Sequence, residues 1–153
     1  VVKFHPRVAD LVFVGASDGL YRSTDNLMTW TKIANVTSSI TQVDFHPTND
    51  STIYIYRNSG TDRNRVFRSF NQGLNFFASN FIAGNNNTTG YLSVSDDCAN
   101  CIYFASTDGV WKSVNEGLDF TFLSNPQQSC LGFAVNDAFK FIKGIELSKL
   151  IKA

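Results

Sequence analysis

Ser69-Phe70-Asn71-Gln72-Gly73-Leu74-Asn75-Phe76 is an eight-residue word that this chain spells three times. The other copies are Ser23-Thr24-Asp25-Asn26-Leu27-Met28-Thr29-Trp30 and Ser113-Val114-Asn115-Glu116-Gly117-Leu118-Asp119-Phe120. Their first residues stand 46 and 44 positions apart. Self-similarity at a period in the forties, with strand-like flanks, is the mark of a repeat architecture built from one supersecondary unit per period.

Working outward from the word, each period carries four short runs rich in β-branched and aromatic residues. The first is Val2-Lys3-Phe4-His5-Pro6, then Val43-Asp44-Phe45-His46-Pro47, then Leu92-Ser93-Val94-Ser95-Asp96 without the His-Pro. The second is Leu11-Val12-Phe13-Val14, aligned with Ile53-Tyr54-Ile55-Tyr56 and Ile102-Tyr103-Phe104-Ala105. The third closes on the serine of the word: Gly19-Leu20-Tyr21-Arg22-Ser23, Arg65-Val66-Phe67-Arg68-Ser69 and Gly109-Val110-Trp111-Lys112-Ser113. The fourth follows the word: Thr31-Lys32-Ile33, Phe77-Ala78-Ser79-Asn80-Phe81 and Thr121-Phe122-Leu123. Turn chemistry such as Ser17-Asp18-Gly19 and Thr107-Asp108-Gly109 separates the runs, so they read as strands A to D of an antiparallel unit. A fully apolar second run predicts a strand covered on both faces.

Four antiparallel strands per repeat define a propeller blade. The expected fold is therefore all-β: a β-propeller of four-stranded blades, here an incomplete arc. Blade 1 spans about 1–36, blade 2 about 40–83 and blade 3 about 90–125, with a partial blade 4 about 130–153. The last residues, 137–153, admit either a short amphipathic helix or a further strand. Such an arc does not close, and bare blade faces predict association or insolubility. The rest of the ring is expected to be missing from this chain or supplied by another chain. The absence of an initiator Met and the start at Val1 are read as a piece of a longer polypeptide.

The residue types of the word suit a tight C–D turn. The side-chain oxygen of Asp25, Asn71 or Asn115 can accept backbone N–H groups inside the loop. Gly73 and Gly117 take positive φ without steric cost, whereas Leu27 stands at that place in blade 1 beside the more tolerant Asn26. Trp30, Phe76 and Phe120 are expected to anchor the turn on the blade core, and Ser23, Ser69 and Ser113 to bond locally. These carboxylates and amides are read as braces: copies of one turn on successive blades point outward and do not converge on one cleft, as a catalytic carboxylate pair must. No metal and no cofactor is expected.

Thirteen basic and thirteen acidic residues leave no net charge, so the electrostatic footprint of a nucleic-acid binder is missing. No apolar run approaches the ~18 residues of a membrane span. Cys98-Ala99-Asn100-Cys101 has CxxC spacing, with Cys130 as the third cysteine. A zinc site wants a second such pair or neighbouring histidines, and a thioredoxin-like motif wants a strand-to-helix setting. A loop disulfide and idle thiols remain the readings of Cys98 and Cys101. Asn35, Asn49, Asn86 and Asn87 head N-glycosylation sequons and lean toward a secreted or luminal home. Site-forming loops are expected opposite the word, at the B–C and D–A ends. That selects Arg57, Asp62, Arg63 and Arg65 as a carboxylate clamp, set against a solvated loop with Asp62 paired to a neighbouring arginine. The Asn-rich 82–90 loop reads as a spacer. His5 and His46, each before Pro, read as turn-fixing residues.

The word resembles the Asp-box, or BNR repeat, S-x-D-x-G-x-x-W, with Leu27 in place of Gly, Asn71 and Asn115 in place of Asp, and Phe76 and Phe120 in place of Trp. Asp-box propellers include sialidases, xyloglucan-cleaving endoglucanases, photosystem II assembly propellers and sortilin (Vps10-domain) receptors. The Phe4-His5-Pro6 and Phe45-His46-Pro47 starts, and strand C ending Gly-Leu-Tyr-Arg-Ser or Gly-Val-Trp-Lys-Ser, are most similar to the sortilin type. That resemblance covers residues 1 to about 136. It implies a non-catalytic receptor of the secretory or endosomal pathway that binds peptide or protein cargo. The alternative is a secreted glycoside hydrolase, sialidase- or xyloglucanase-like, with a glycan as partner. A sialidase draws its arginines from several blades, whereas Arg57, Arg63 and Arg65 share one loop; a xyloglucanase needs carboxylates on facing blades, for which Asp62 and Asp108 are the loop candidates.

Overall fold

A computed structural model describes residues 1–57, 65–82, 90–95, 98, 100–106 and 109–124. They form twelve strands and no helix. The first sheet contains β1 (Val2–Phe4), β2 (Val12–Ala16), β3 (Gly19–Ser23) and β4 (Thr31–Lys32). The second contains β5 (Ile40–Phe45), β6 (Ile53–Arg57), β7 (Arg65–Ser69) and β8 (Phe77–Ile82). The third contains β9 (Gly90–Val94), β10 (Ile102–Ser106), β11 (Gly109–Ser113) and β12 (Thr121–Ser124). Each sheet runs in chain order and every pairing is antiparallel. Each sheet is a four-stranded antiparallel blade, as the all-β propeller fold class requires. The proposed fourth blade at 130–153 lies outside the described residues.

Register corrects the alignment of the second strands. Val12 stands opposite Ser23, Ile53 opposite Ser69 and Ile102 opposite Ser113. The equivalent residues are therefore Val12, Ile53 and Ile102, one place later in blade 1 than the apolar runs indicate. Leu11 lies just before β2, where it accepts the His5 amide on its carbonyl. Hydrophobicity alone cannot place a strand to one residue when both of its faces are covered, and β6 is buried at every position.

The blades stack face to face. Side chains alternate across each strand, so one face of a blade looks forward to the next blade and the other looks back. Leu11, Phe13, Leu20 and Ile33 on the forward side of blade 1 pack with Val43, Ile53, Ile55, Phe67 and Phe76 of blade 2. Tyr54, Tyr56 and Val66 on the forward side of blade 2 pack with Leu92, Ile102 and Phe104 of blade 3. The core thus lies between blades and not within any one of them. Burial pushes the Tyr56 hydroxyl up to about 12, and that of Tyr54 further in the same direction, so both rings stay neutral.

Candidate functional site

The word folds the same way three times. Ser69 Oγ, buried, accepts the Gly73 amide at 2.9 Å and the Asn71 amide at 3.3 Å, and donates to Asn71 Oδ1 at 2.9 Å. Asn71 Oδ1 also accepts the Asn75 amide at 3.0 Å. Ser113 and Asn115 repeat these bonds with Gly117 and Asp119. Ser23 Oγ accepts the Leu27 amide at 3.1 Å, and Asp25 Oδ1 accepts the Thr29 amide at 2.9 Å. The Thr29 and Ser23 bonds hold the Asp25 carboxyl below the usual carboxylate range.

Two consecutive residues of each word are left-handed: Asn26 and Leu27, Gln72 and Gly73, Glu116 and Gly117. Leu27 itself sits at φ 72°, so Asn26 does not take over the glycine's conformation. At Gly73 the neighbour adds a second demand, since a Cβ there would lie 2.4 Å from the Phe13 ring of blade 1. Phe76 is buried in the core between blades 1 and 2, and Phe120 packs on the core between blades 2 and 3. Trp30 is not anchored in this way and remains exposed, because among the described residues no sheet lies behind blade 1.

The A–B turns meet the words at one end of the blades, where Gln72 donates its amide to the Ser51 carbonyl and Glu116 to that of Asn100. His5 Nδ1 accepts the amides of Arg7 and Val8, and His46 Nδ1 those of Thr48 and Asn49. Both imidazoles are buried turn caps. In blade 3 a disulfide between Cys98 and Cys101 closes the turn that a histidine caps in blades 1 and 2. Arg7 ties two of these turns together: Nε contacts Asp50 Oδ1 at 2.6 Å, while the other nitrogens donate to the carbonyls of Pro47 and His46.

At the opposite end, Arg57 closes β6 and Arg65 opens β7, directly opposite one another. Arg57 is buried, with its guanidinium carbon 4.8 Å from the Phe67 ring centre. Its cation lies against an aromatic face on the side toward blade 1, as cation–π attraction favours. Asp62 and Arg63, the other members of the expected clamp, lie outside the described residues, as do Asp108, Asn86 and Asn87. Asp18, in the β2–β3 turn, takes hydrogen bonds from Lys32 and Tyr21 that hold its carboxyl low. Among the described residues no group of three or more His, Cys, Asp or Glu is placed to hold a metal ion. Asn49 is exposed; Asn35 is exposed too, but its Nδ2 donates to the Phe76 carbonyl at 2.7 Å.

Sequence reasoning missed the polar contacts that join blades. Gln42 on β5 brackets Leu92 on β9, its Nε2 donating to the Leu92 carbonyl and its Oε1 accepting the Leu92 amide at 2.6 Å. Asp44 accepts the Val94 amide at 3.3 Å. These bonds stitch the first strands of blades 2 and 3. The recurrence of a basic residue before the strand-C serine, at Arg22, Arg68 and Lys112, was the one available signal for the inter-blade donors, two of which bond the next word.

No protein-family model matches the chain, and no curated protein matches it. Among solved structures it is similar to an ancestral GH74 enzyme, with 26% identity and a TM-score of 0.71, covering 82% of this chain and 18% of that one. It is also similar to the GH74 xyloglucanase from Xanthomonas campestris, with 22% identity and a TM-score of 0.61, covering 84% of this chain and 20% of that one. The chain therefore spans about a fifth of the length of these structures. With the three stacked four-stranded sheets, these likenesses define an all-β protein of the β-propeller class, present as an incomplete arc.

Proposed function

We propose that this chain is a section of a propeller glycoside hydrolase that acts on a xyloglucan-type polysaccharide. One observation carries the reading: a TM-score of 0.71 and 26% identity to a GH74 enzyme over 82% of the chain. The described residues contribute the frame: Asp25 braces a turn, Asp18 and Asp50 pair with bases, and Asp44 joins two blades. The end of the blades opposite the words is the side on which sugar contacts belong in this proposal. The exposed sequon at Asn49 and the Cys98–Cys101 bridge support a secreted or luminal location.

A sortilin-type receptor for peptide or protein cargo is the second reading, supported by the Phe-His-Pro starts and by Arg57 and Arg65, which stand opposite each other where a carboxylate could be held. The test is turnover by the protein that carries this section, on xyloglucan, on sialyl conjugates and on a peptide panel. New reducing ends from xyloglucan alone are expected. Saturable peptide binding without turnover of any glycan would replace the hydrolase by the receptor.

A further inference from the structure

Asn49 stands in the A–B turn of blade 2, with a blade on either side of it among the described residues. The A–B turns are built alike. Val8 donates its amide to His5 Nδ1 and Asn49 donates its own to His46 Nδ1, each at 2.9 Å. The Thr52 amide then bonds the Asn49 carbonyl at 3.2 Å, as the Cys101 amide bonds the Cys98 carbonyl at 2.8 Å. Val8, Asn49 and Cys98 therefore share one place in the repeat. Val8 packs against the core between blades 1 and 2, and Cys98 is held in the disulfide. Asn49 alone of the three is exposed. The turn forms without an amide side chain in the other blades, so the fold does not account for the nitrogen of Asn49.

The two polar atoms of that side chain are used differently. Oδ1 accepts the Ser51 amide at 3.0 Å, which holds the side chain along Asn49-Asp50-Ser51. Nδ2 has no hydrogen-bond partner among the described residues, and neither has the Ser51 hydroxyl. These are the two groups by which an Asn-x-Ser acceptor is recognised and modified. Asn35-Val36-Thr37 carries the same signature in another setting. Asn35 Nδ2 is committed to the Phe76 carbonyl at 2.7 Å, across the joint of blades 1 and 2, and Val36 beside it is 2% exposed.

We propose that Asn49 is a site of N-glycosylation and that Asn35 is not. The co-reactant is a lipid-linked oligosaccharide pyrophosphate. Asn49 Nδ2 forms the new bond to the anomeric carbon, and the bond from that carbon to the pyrophosphate oxygen breaks. The lipid pyrophosphate leaves, and one Nδ2 proton passes to a base of the transferase. The bond between Oδ1 and the Ser51 amide survives, because the product is still an amide. The proposal rests on the secreted or luminal location given above. It also gives the two ends of the blades different tasks. A bulky, solubilising saccharide beside Arg7 and Asp50 keeps the end that carries the words in water, and the opposite end stays open.

The test passes the protein that carries this section through a eukaryotic secretory pathway behind a cleavable leader. Occupancy is read peptide by peptide, as conversion of the carrier Asn to Asp by peptide N-glycosidase in heavy-oxygen water. Conversion of Asn49 in most molecules and of Asn35 in few is the expected result, with the Asn49 signal lost in Ser51→Ala and in Asn49→Asp. Asn49→Asp keeps an oxygen for the Ser51 amide, so an unchanged unfolding midpoint separates a lost acceptor from a lost turn. An unmodified Asn49 in the secreted wild type overturns the proposal. So does Asn35 converted as fully as Asn49, which would mean that the folded surroundings make no selection. The leader supplies the compartment, so failure here is failure of the site, while the hydrolase reading stands or falls on its own turnover assay.

Discussion

Arg22 Nε donates to the Gln72 carbonyl at 2.8 Å, joining strand C of one blade to the word of the next across 50 residues of sequence. Arg68 makes the corresponding contact one blade on, its Nη1 donating to the Asn115 carbonyl at 3.2 Å and to that of Glu116, the equivalent of Gln72, at 3.5 Å. Blades are thus joined by a side chain from one repeat and a backbone atom whose position the next repeat fixes.

Replacing Arg22 by Ala should therefore loosen the blade 1–blade 2 contact. A hydrogen bond from a charged donor is worth about 1.5–3 kcal/mol, and the half-buried setting of Arg22 points to the lower end. Urea unfolding should show a lower midpoint with an unchanged slope. Lysine at the same position should recover part of the loss.

Gly73 and Leu27 share a backbone conformation but differ in their surroundings. Gly73→Ala places a Cβ against the Phe13 ring at positive φ and should be among the most damaging single changes, costing about 2–4 kcal/mol from strain and overpacking together. Leu27→Gly relieves a left-handed leucine on an exposed turn and should leave stability equal or raise it by up to about 1 kcal/mol. Thermal unfolding of both variants checks the contrast; equal effects would contradict it.

Ser69→Ala removes a buried oxygen and leaves the Gly73 amide without an acceptor. An unsatisfied buried donor costs about 1–3 kcal/mol, so denaturant titration should detect the loss. Faster amide exchange at Gly73 should accompany it, while Gly117 stays protected by Ser113.

Acid should weaken the protein through His5. Burial depresses its folded pKa below the ordinary value, with Arg7 adding to the shift and Asp50 opposing it. The unfolded chain then binds more protons in the interval between the two values, and stability rises with pH there. On acidification the loss begins near the ordinary histidine value, about 6.5, and is complete below the folded one. As Nδ1 takes a proton it can no longer accept the Arg7 and Val8 amides. Unfolding midpoints at about pH 7.5 and about pH 5.5 should differ in the wild type and differ less in His5→Ala.

Cys98 and Cys101 close a loop with a sequence separation of 3. The chain-entropy relation assigns so short a loop about 2 kcal/mol. Replacing both cysteines by Ser should lower the unfolding midpoint accordingly. Reductant should lower the wild-type midpoint and leave the double variant unmoved.

Much of the fold was legible in the chain because repetition cross-checks itself. The words place the C–D turns, the serine that opens each word ends strand C, and short β-branched and aromatic runs bounded by turn residues mark the strands. What could not be read is instructive. The one-residue offset of Val12 against Ile53 was invisible because strands covered on both faces lose the alternation that encodes register. The roles of Gln42, Arg22 and Arg7 could not be seen because each acts on a backbone atom of another blade. For Arg57 and Arg65 the sequence showed adjacency, but the packing of Arg57 on Phe67 follows from which side of β6 faces blade 1.

The amino-acid sequence by itself determined the repeating unit, its four strands and the turn that closes it, since those depend on local backbone preference and alternation. Tertiary structure alone decided which faces are interior. Trp30 and Phe76 occupy one position in the word, yet Phe76 is buried because blade 1 stands behind it, while Trp30 faces outward. Burial in a stacked-blade protein belongs to the neighbour as much as to the residue, and no local pattern records the neighbour.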